Sequence, residues 1–139
     1  MVFSSASNDG GEGSRTYPAK LPGVISCYTT NSQGKGSDFN TPAEAAPNFS
    51  FVGEEIRPIW PRKTAKVPER MKYKSGTSFA TPVAVSVAAL MIGYIEKKFP
   101  QKKWRIKPQS PEGVAKIFDL MKTKIGDYDW VSPTVSVQR

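Results

Sequence analysis

Apolar residues follow a helical repeat in the segment after residue 76, and this is the clearest pattern in the chain. Because proline is tolerated only in the first turn of a helix, Pro82 places the helix start within a few residues of Ser78. Lys97 and Lys98, followed by Pro100, predict its end. Small or apolar neighbours predict burial on most sides. The repeat comprises Ala80, Val83, Ala84, Val87, Ala88, Met91, Ile92 and Ile95.

A second helical pattern predicts a helix from Pro111 to about Thr123. Ser110 directly precedes it, and serine is a favoured residue at the N-cap, where its side chain accepts a hydrogen bond from the first turn. The apolar positions of this helix share one face, which should point toward a core. They are Val114, Ile117, Phe118 and Met121.

Strands are predicted where β-branched and aromatic residues cluster between turn signals. The candidates are "MVFSSA" at 1–6, "GVISCYTT" at 23–30 and "FVGEEIRPIW" at 51–60. The tail "GDYDWVSPTVSVQR", 126–139, predicts one edge strand, and residues 31–50 predict a surface loop with at most a short hairpin arm. A chain that opens within a strand favours a preceding segment that pairs with it.

The composition fits one small domain of 139 residues, with a formal net charge of +8. Much of the excess lies in "RKTAKVPERMKYK" and "EKKFPQKKWRIK", where aromatic residues interleave with lysines and arginine. Such a mixture suits nucleic-acid binding, and it also suits a solvated helix end and loop. We favour the second interpretation, because no recognisable nucleic-acid module surrounds the run.

The sequence also bears on location. The longest nearly apolar stretch, 79–95, is interrupted by polar residues and falls short of a membrane span, and no secretory signal opens the chain. Cys27 is the single cysteine, so it forms no internal disulfide and is expected to be a buried or idle thiol. These features predict a cytoplasmic protein without a membrane partner.

Ser78 is the candidate for chemistry, because a helix start offers unpaired N–H groups and a dipole that stabilise an oxyanion. Gly76 would let a substrate backbone approach, and Thr77 would cap or brace the turn. An ordinary helix cap explains the same tripeptide. Lys74 is a poor candidate for the base, because nothing in the sequence buries it to lower its pKa.

Several segments together resemble the subtilisin-like serine peptidases, or subtilases. "GTSFATP" before a small-residue helix resembles their nucleophile motif, "VFSSASNDGG" the strand that ends in the oxyanion-hole asparagine, and "YPAKLPGVISC" the turn and strand that follow. "NFSFVGEEI" is most similar to forms in intracellular fungal subtilases. The resemblance implies a partial α/β subtilisin-like fold, with a parallel sheet flanked by helices and a long central nucleophile helix. It treats 1–139 as one partial catalytic domain, best matched over 1–98.

The same resemblance implies the site. Ser78 would attack the scissile carbonyl, and its N–H would hold the oxyanion together with the side-chain amide of Asn8. Taken alone, Asn8 is better explained as a turn-former before Asp9 and Gly10. Ser7 replaces a glycine common in the family, and Val83 stands where many members carry a histidine that is not the catalytic base. The implied substrate-binding residues are Ser4, Ser5, Ala6, Ser7, Gly76 and Thr77.

The proton of Ser78 lacks a natural acceptor, because the chain contains no histidine. Subtilases carry the triad in the order aspartate, histidine, serine, with the first two before the asparagine segment. The resemblance therefore implies that an N-terminal half supplies both, in cis or in trans, and that the substrate is a polypeptide. The sequence itself predicts no cofactor and no metal ligand, since it has no cluster of carboxylates at the spacing of a calcium-binding loop. The alternative is a catalytically inactive pseudo-peptidase or a basic interaction module.

Overall fold

The computed structural model describes residues 1–45, 47–57 and 73–132, which contain five strands, two α-helices and a short 3-10 helix at Gly10–Glu12. The two helices begin and end close to where the sequence predicts. Ser110 caps the second one, since its Oγ accepts a hydrogen bond from the Gly113 N–H at 3.1 Å. In chain order the elements are β1 Val2–Ser5, β2 Val24–Thr30, β3 Phe49–Val52, α1 Thr77–Lys98, α2 Pro111–Met121, β4 Lys122–Ile125 and β5 Tyr128–Val131.

The strands form one sheet in the order β1-β2-β3-β5-β4, in which the first four are parallel and β4 is antiparallel to β5. The predicted α/β fold with a parallel sheet is confirmed. The prediction of an edge strand in the tail is wrong, because β5 lies between β3 and β4. Gly126, with a φ of 59°, allows a two-residue turn between β4 and β5, so β4 takes the edge.

Two predicted boundaries shift. The second helix ends at Met121 rather than near Thr123, because the chain extends into β4 from Lys122. The strand predicted over 51–60 ends at Val52, after which the chain turns toward α1. Gly53 permits this close approach, since a β-carbon there would lie 2.9 Å from the backbone nitrogen of Ala80. Residues 58–60 and the basic stretch 62–72 lie outside the described residues.

Helix α1 packs on one face of the sheet through a stripe of small side chains. Ala80, Ala84 and Ala88 are fully buried at intervals of four, which lets the helix axis approach β1, β2 and β3 closely. The expectation of burial on most sides is wrong for the described chain, because Val85, Leu90 and others on the opposite face are exposed. The described elements offer α1 a partner on one side only.

Length and composition alone would allow α1 to cross a membrane, with 22 residues and a mean hydropathy of 1.8. The prediction that this stretch falls short of a membrane span is therefore wrong. Core helices of globular domains meet the same criterion, and the alanine stripe of α1 is buried against the sheet.

The opposite face of the sheet is covered partly by the polar segment between β2 and β3. Its short antiparallel bridge between Thr30 and Gly36 matches the predicted hairpin arm. The expectation of a surface loop is wrong for Asn40, which is buried. Its side chain donates to the Thr29 carbonyl at 2.7 Å and accepts from the Thr29 N–H at 3.0 Å. These bonds replace the hydration that a polar loop residue would otherwise keep.

Cys27 lies in β2 with no exposed surface, and burial raises the pKa of its thiol to about 12. We expect its reaction with dithionitrobenzoate at pH 8 to be at least about a thousand-fold slower in native buffer than in concentrated urea. Because the pKa of the thiol in the folded protein exceeds the ordinary 9.0, the stability associated with the protonated thiol is complete below about pH 9. It is lost as the pH rises toward 12. Equal rates in buffer and urea would contradict this burial.

Candidate active site at the start of helix α1

Ser78 is the second residue of α1, and its side chain is exposed. The first N–H groups of a helix lack intrahelical acceptors, so their partners define what the helix start can bind. The Thr77 N–H is bonded by Asn8, and the N–H groups of Phe79 and Ala80 donate to the carbonyl of Gly76 at 2.9 and 3.3 Å. Among the residues that the structure describes, the Ser78 N–H has no acceptor, so it is available to a ligand.

Asn8 connects the end of β1 to the start of α1. Its Oδ1 accepts hydrogen bonds from the Thr77 N–H at 2.9 Å and from the Thr77 hydroxyl at 3.0 Å. Because a backbone N–H can only donate, the oxygen of the amide must face Thr77, and the Nδ2 is the end left to donate elsewhere. A β-carbon on Gly76 would lie 3.4 Å from that Nδ2. The absence of a side chain at Gly76 therefore leaves room around the Asn8 amide group.

An open groove of about 460 Å³ joins Ser78 to β1. Two of the predicted substrate-binding residues, Ser4 and Ser5, line it together with Ser78. The sequence did not predict four further lining residues. Three of them lie on α1 and follow Ser78 by three, four and seven positions, so helical spacing could have identified them on one face. The four are Phe3, Thr81, Pro82 and Val85.

The other predicted substrate-binding residues do not line this groove. Ala6 is fully buried, its N–H donates to the Cys27 carbonyl at 3.0 Å, and its carbonyl accepts from the Thr16 N–H at 3.0 Å. Gly76 and Thr77 are buried as well. Thr77 braces the turn through its hydroxyl, as predicted, but it is the first helical residue rather than the cap.

Pro82 lies in the second turn of α1, not in the first as predicted. A proline nitrogen carries no hydrogen, so the Ser78 carbonyl, four residues earlier, loses its helical donor. The Thr81 hydroxyl donates instead to the neighbouring Thr77 carbonyl at 2.8 Å. Side-chain bonds of Asn8 and Thr81 thus add to the backbone bonds of the helix start.

Ser7 has a φ of 145°, a region that glycine occupies and other residues rarely do. Its hydroxyl donates to Oδ2 of Asp9 at 2.5 Å, so a side-chain bond spans Asn8. The glycine common at this position in subtilases would adopt the same backbone without strain. The serine replacement therefore costs stability next to the groove.

Replacing Ser7 by glycine should raise the free energy of unfolding by about 1 kcal/mol, because relief of about 1–3 kcal/mol of strain exceeds glycine's entropy cost of about 0.5–1 kcal/mol. Urea denaturation measures the change. Ser5→Gly is the matched control, since Ser5 lies in β1 without a positive φ and its replacement should destabilise. If Ser7→Gly destabilises as much as Ser5→Gly, the bond to Asp9 outweighs the strain.

The described residues offer Ser78 no proton acceptor. Its hydroxyl makes no hydrogen bond to any of them, and Lys74 is exposed and pairs through its backbone with Ile56. In 1–45, 47–57 and 73–132 no three His, Cys, Asp or Glu side chains come together as a metal site would require. The site thus combines a hydroxyl, a free N–H and a primary amide.

Comparisons with known proteins agree on one family. The profile of the subtilase family, peptidase S8, matches residues 1–121. A subtilisin-like protease, het-Q2 of Podospora anserina, is 36% identical over 99 residues, which cover 68% of this chain and 26% of that protein. A cell wall-associated protease of Bacillus subtilis is 31% identical over 91 residues, covering 66% of this chain and 9% of the relative. The chain thus spans about a quarter or less of these relatives.

Solved structures give the same picture. The prenylagaramide maturation protease PagA superimposes with a TM-score of 0.69 at 28% identity, covering 90% of this chain and 41% of that one. A cold-adapted subtilisin-like serine proteinase gives a TM-score of 0.61 at 22% identity, covering 91% and 42%. The second likeness bears on the fold alone.

Proposed function

Because the chain belongs to the subtilase family, we propose that Ser78 is the nucleophile of a serine endopeptidase domain, which this chain forms with a segment outside it. The observation that carries the proposal is the contact of Asn8 with Thr77. This contact uses the oxygen of the Asn8 amide and leaves its Nδ2 without a partner in the described structure. The Ser78 N–H, at the same helix start, also has no partner there. These are the two kinds of donor that an oxyanion hole requires.

The proposed reaction is acyl transfer. The Ser78 Oγ attacks the carbonyl carbon of a peptide bond while its proton passes to a histidine outside this chain. The resulting oxyanion accepts hydrogen bonds from the Ser78 N–H and the Asn8 Nδ2, and the positive end of the α1 dipole adds to this stabilisation. The C–N bond then breaks, the amine leaves with that proton, and water hydrolyses the ester on Ser78.

A polypeptide is the proposed substrate. The groove between β1 and α1 is open, and its Ser4 and Ser5 lie on a strand that pairs with β2 on one side only in the described structure. Serine hydroxyls and free strand groups suit an extended peptide, which uses main-chain hydrogen bonds. Ser7, which is partly exposed two residues after this strand ends, would then influence side-chain preference.

The proposed partner is an N-terminal half of the peptidase domain, in cis or in trans, that carries the catalytic aspartate and histidine. Two surfaces support this. The outer edge of β1 has no strand beside it among the described residues, and exposed strand edges are normally covered. Helix α1 exposes Val85, Leu90 and Tyr94, which an added layer would bury.

Labelling with a fluorophosphonate probe tests the proposal. The chain alone should remain unlabelled, whereas a mixture with a separately expressed subtilase N-terminal segment should be labelled at Ser78. The same segment with its histidine replaced by alanine is the control, since it should dock without activating Ser78. A folded mixture that never reacts would instead support an inactive pseudo-peptidase, the alternative favoured by the lack of any histidine in the chain.

Replacing Asn8 by alanine should lower kcat of the reconstituted domain about a hundred- to a thousand-fold, the loss known for this donor in subtilisin. KM should change little, because the bond forms only with the oxyanion. Peptide hydrolysis measures both constants. Since Asn8 also bonds Thr77, circular dichroism must show an intact fold. A loss confined to KM would mean that Asn8 binds substrate instead.

The cytoplasmic location expected from the sequence stays a prediction. Cell fractionation with an antibody against the chain tests it, and recovery in the membrane fraction would overturn it.

A further inference from the structure

A basic segment joins α1 to α2 on the side of the molecule away from Ser78. Residues 97–116 hold seven lysine and arginine residues and one carboxylate, a net charge of +6. The cations of the connecting loop are exposed, namely Lys102, Lys103, Arg105 and Lys107. So high a local charge in twenty residues attracts anionic partners.

Aromatic side chains organise this segment. The Lys102 Nζ lies 4.5 Å from the Trp104 ring centroid and 5.6 Å from that of Phe99. The two rings meet edge to face, with centroids 6.1 Å apart. These contacts order the two rings beside Lys102, whose charged group remains at the surface.

Trp104 also forms one wall of an apolar groove of about 440 Å³ between the two helices. We call this feature the Trp104 groove. Leu120 at its edge is 85% exposed, a high value for a leucine. Arg105 and Lys116 also line the groove, and both are exposed. The aliphatic lining consists of Ile95, Ile106, Ile117 and Leu120.

The loop beneath the groove is fixed to α2. The Ser110 Oγ donates to the Lys107 carbonyl at 2.9 Å and accepts from the Gly113 N–H at 3.1 Å. A β-carbon on Gly113 would overlap the Lys107 carbonyl, so loop and helix are in direct contact. A surface held in this way loses little entropy on binding.

We propose that the Trp104 groove binds an acidic polypeptide segment that carries apolar side chains. The positive rim complements the carboxylates, and the aliphatic lining accepts the apolar side chains. A tryptophan and an arginine beside a pocket are the residues that most often dominate protein interfaces. Nucleic acid fits less well, because Trp104 is the single aromatic side chain among the described residues that line the groove, and its ring already packs against Phe99 and Lys102. A bilayer fits less well, because the groove is concave.

Fluorescence anisotropy with the full chain tests this. The probe is a fluorescein-labelled amphipathic peptide of Glu and Leu, with leucines at helical spacing. The comparison ligands are a peptide of Glu alone, the corresponding Lys and Leu peptide, oligothymidine and phosphatidylserine vesicles. The Glu and Leu peptide should bind most tightly, and added salt should weaken it.

Variants then locate the binding surface. Leu120→Asp and Lys116→Glu should each raise Kd about tenfold or more, because one removes an apolar contact and the other a complementary charge. Both positions are exposed, so neither change should prevent folding. The matched controls are Leu21→Asp, at a leucine between β1 and β2 that is 46% exposed, and Lys35→Glu, at an exposed lysine between β2 and β3. Neither control should alter Kd.

Several outcomes would overturn the proposal. If the peptide of Glu alone binds as tightly as the Glu and Leu peptide, charge alone explains the binding and the apolar lining plays no part. Tighter binding of oligothymidine or vesicles, lost in the same variants, would assign the groove to nucleic acid or lipid. Equal effects of Leu120→Asp and Leu21→Asp would mean that the peptide does not bind in the Trp104 groove.

Discussion

Replacing Ser78 by alanine should abolish fluorophosphonate labelling of the reconstituted domain and lower kcat for peptide hydrolysis about a million-fold, the loss known for the nucleophile of subtilisin. The physical reason is that no other group can form the acyl intermediate at this helix start. The Ser78 side chain makes no hydrogen bond within the described residues, so its removal should leave stability nearly unchanged. Labelling and hydrolysis measure the chemistry, and urea denaturation measures the fold.

Ser86→Ala is the matched control for this experiment. Ser86 lies two turns further along α1, is exposed, and donates to the Pro82 carbonyl at 2.8 Å. Its loss should leave labelling and kcat unchanged. If Ser78→Ala retains labelling or hydrolysis, another residue is the nucleophile, and the proposed reaction at α1 is wrong.

Replacing Phe118 by alanine should lower the free energy of unfolding by about 3–5 kcal/mol. Phe118 is fully buried, and its ring contacts rings from two strands, with centroids 6.4 Å from Phe3, 5.3 Å from Phe49 and 5.1 Å from Phe51. Truncation removes these contacts and leaves a cavity between α2 and the sheet. A small domain has about 5–15 kcal/mol in total, so this change alone would remove a large part of its stability.

Urea denaturation followed by circular dichroism measures this loss. Leu120→Ala is the matched control, because it truncates a side chain on the same helix that is largely exposed, and it should cost no more than about 0.5 kcal/mol. Equal losses for Phe118→Ala and Leu120→Ala would mean that α2 does not anchor the core.

Local elements were predictable because local interactions decide them. The period of apolar residues predicted α1, and Ser110 predicted the cap of α2. The subtilase resemblance pointed to Ser4 and Ser5, which line the groove with Ser78, but not to the four other lining residues. The sequence left two alternatives for the Cys27 thiol, buried or idle, and the fold buries it within β2. Errors arose where burial depends on distant partners. Asn40 is buried because it bonds to the backbone of Thr29, a contact that no sequence pattern shows.

The strand of the tail shows the same limit. Residues Tyr128–Val131 carry the composition of a strand, but composition does not say which neighbour a strand pairs with. Phe49 pairs with Asp129, and this long-range ladder places β5 inside the sheet. The preceding β4 then takes the edge through a turn at Gly126, a residue that the sequence placed only in the tail.

By itself the sequence determined the subtilase motif, the helix that begins beside Ser78 and the absence of a histidine to accept its proton. Only the tertiary structure decided that the Asn8 amide oxygen bonds Thr77, across 69 residues, and that Ser7 adopts a strained φ of 145°. The reason is physical: helix periodicity and capping depend on neighbours within a few residues. Which end of an amide remains free depends instead on donors that folding brings from far along the chain.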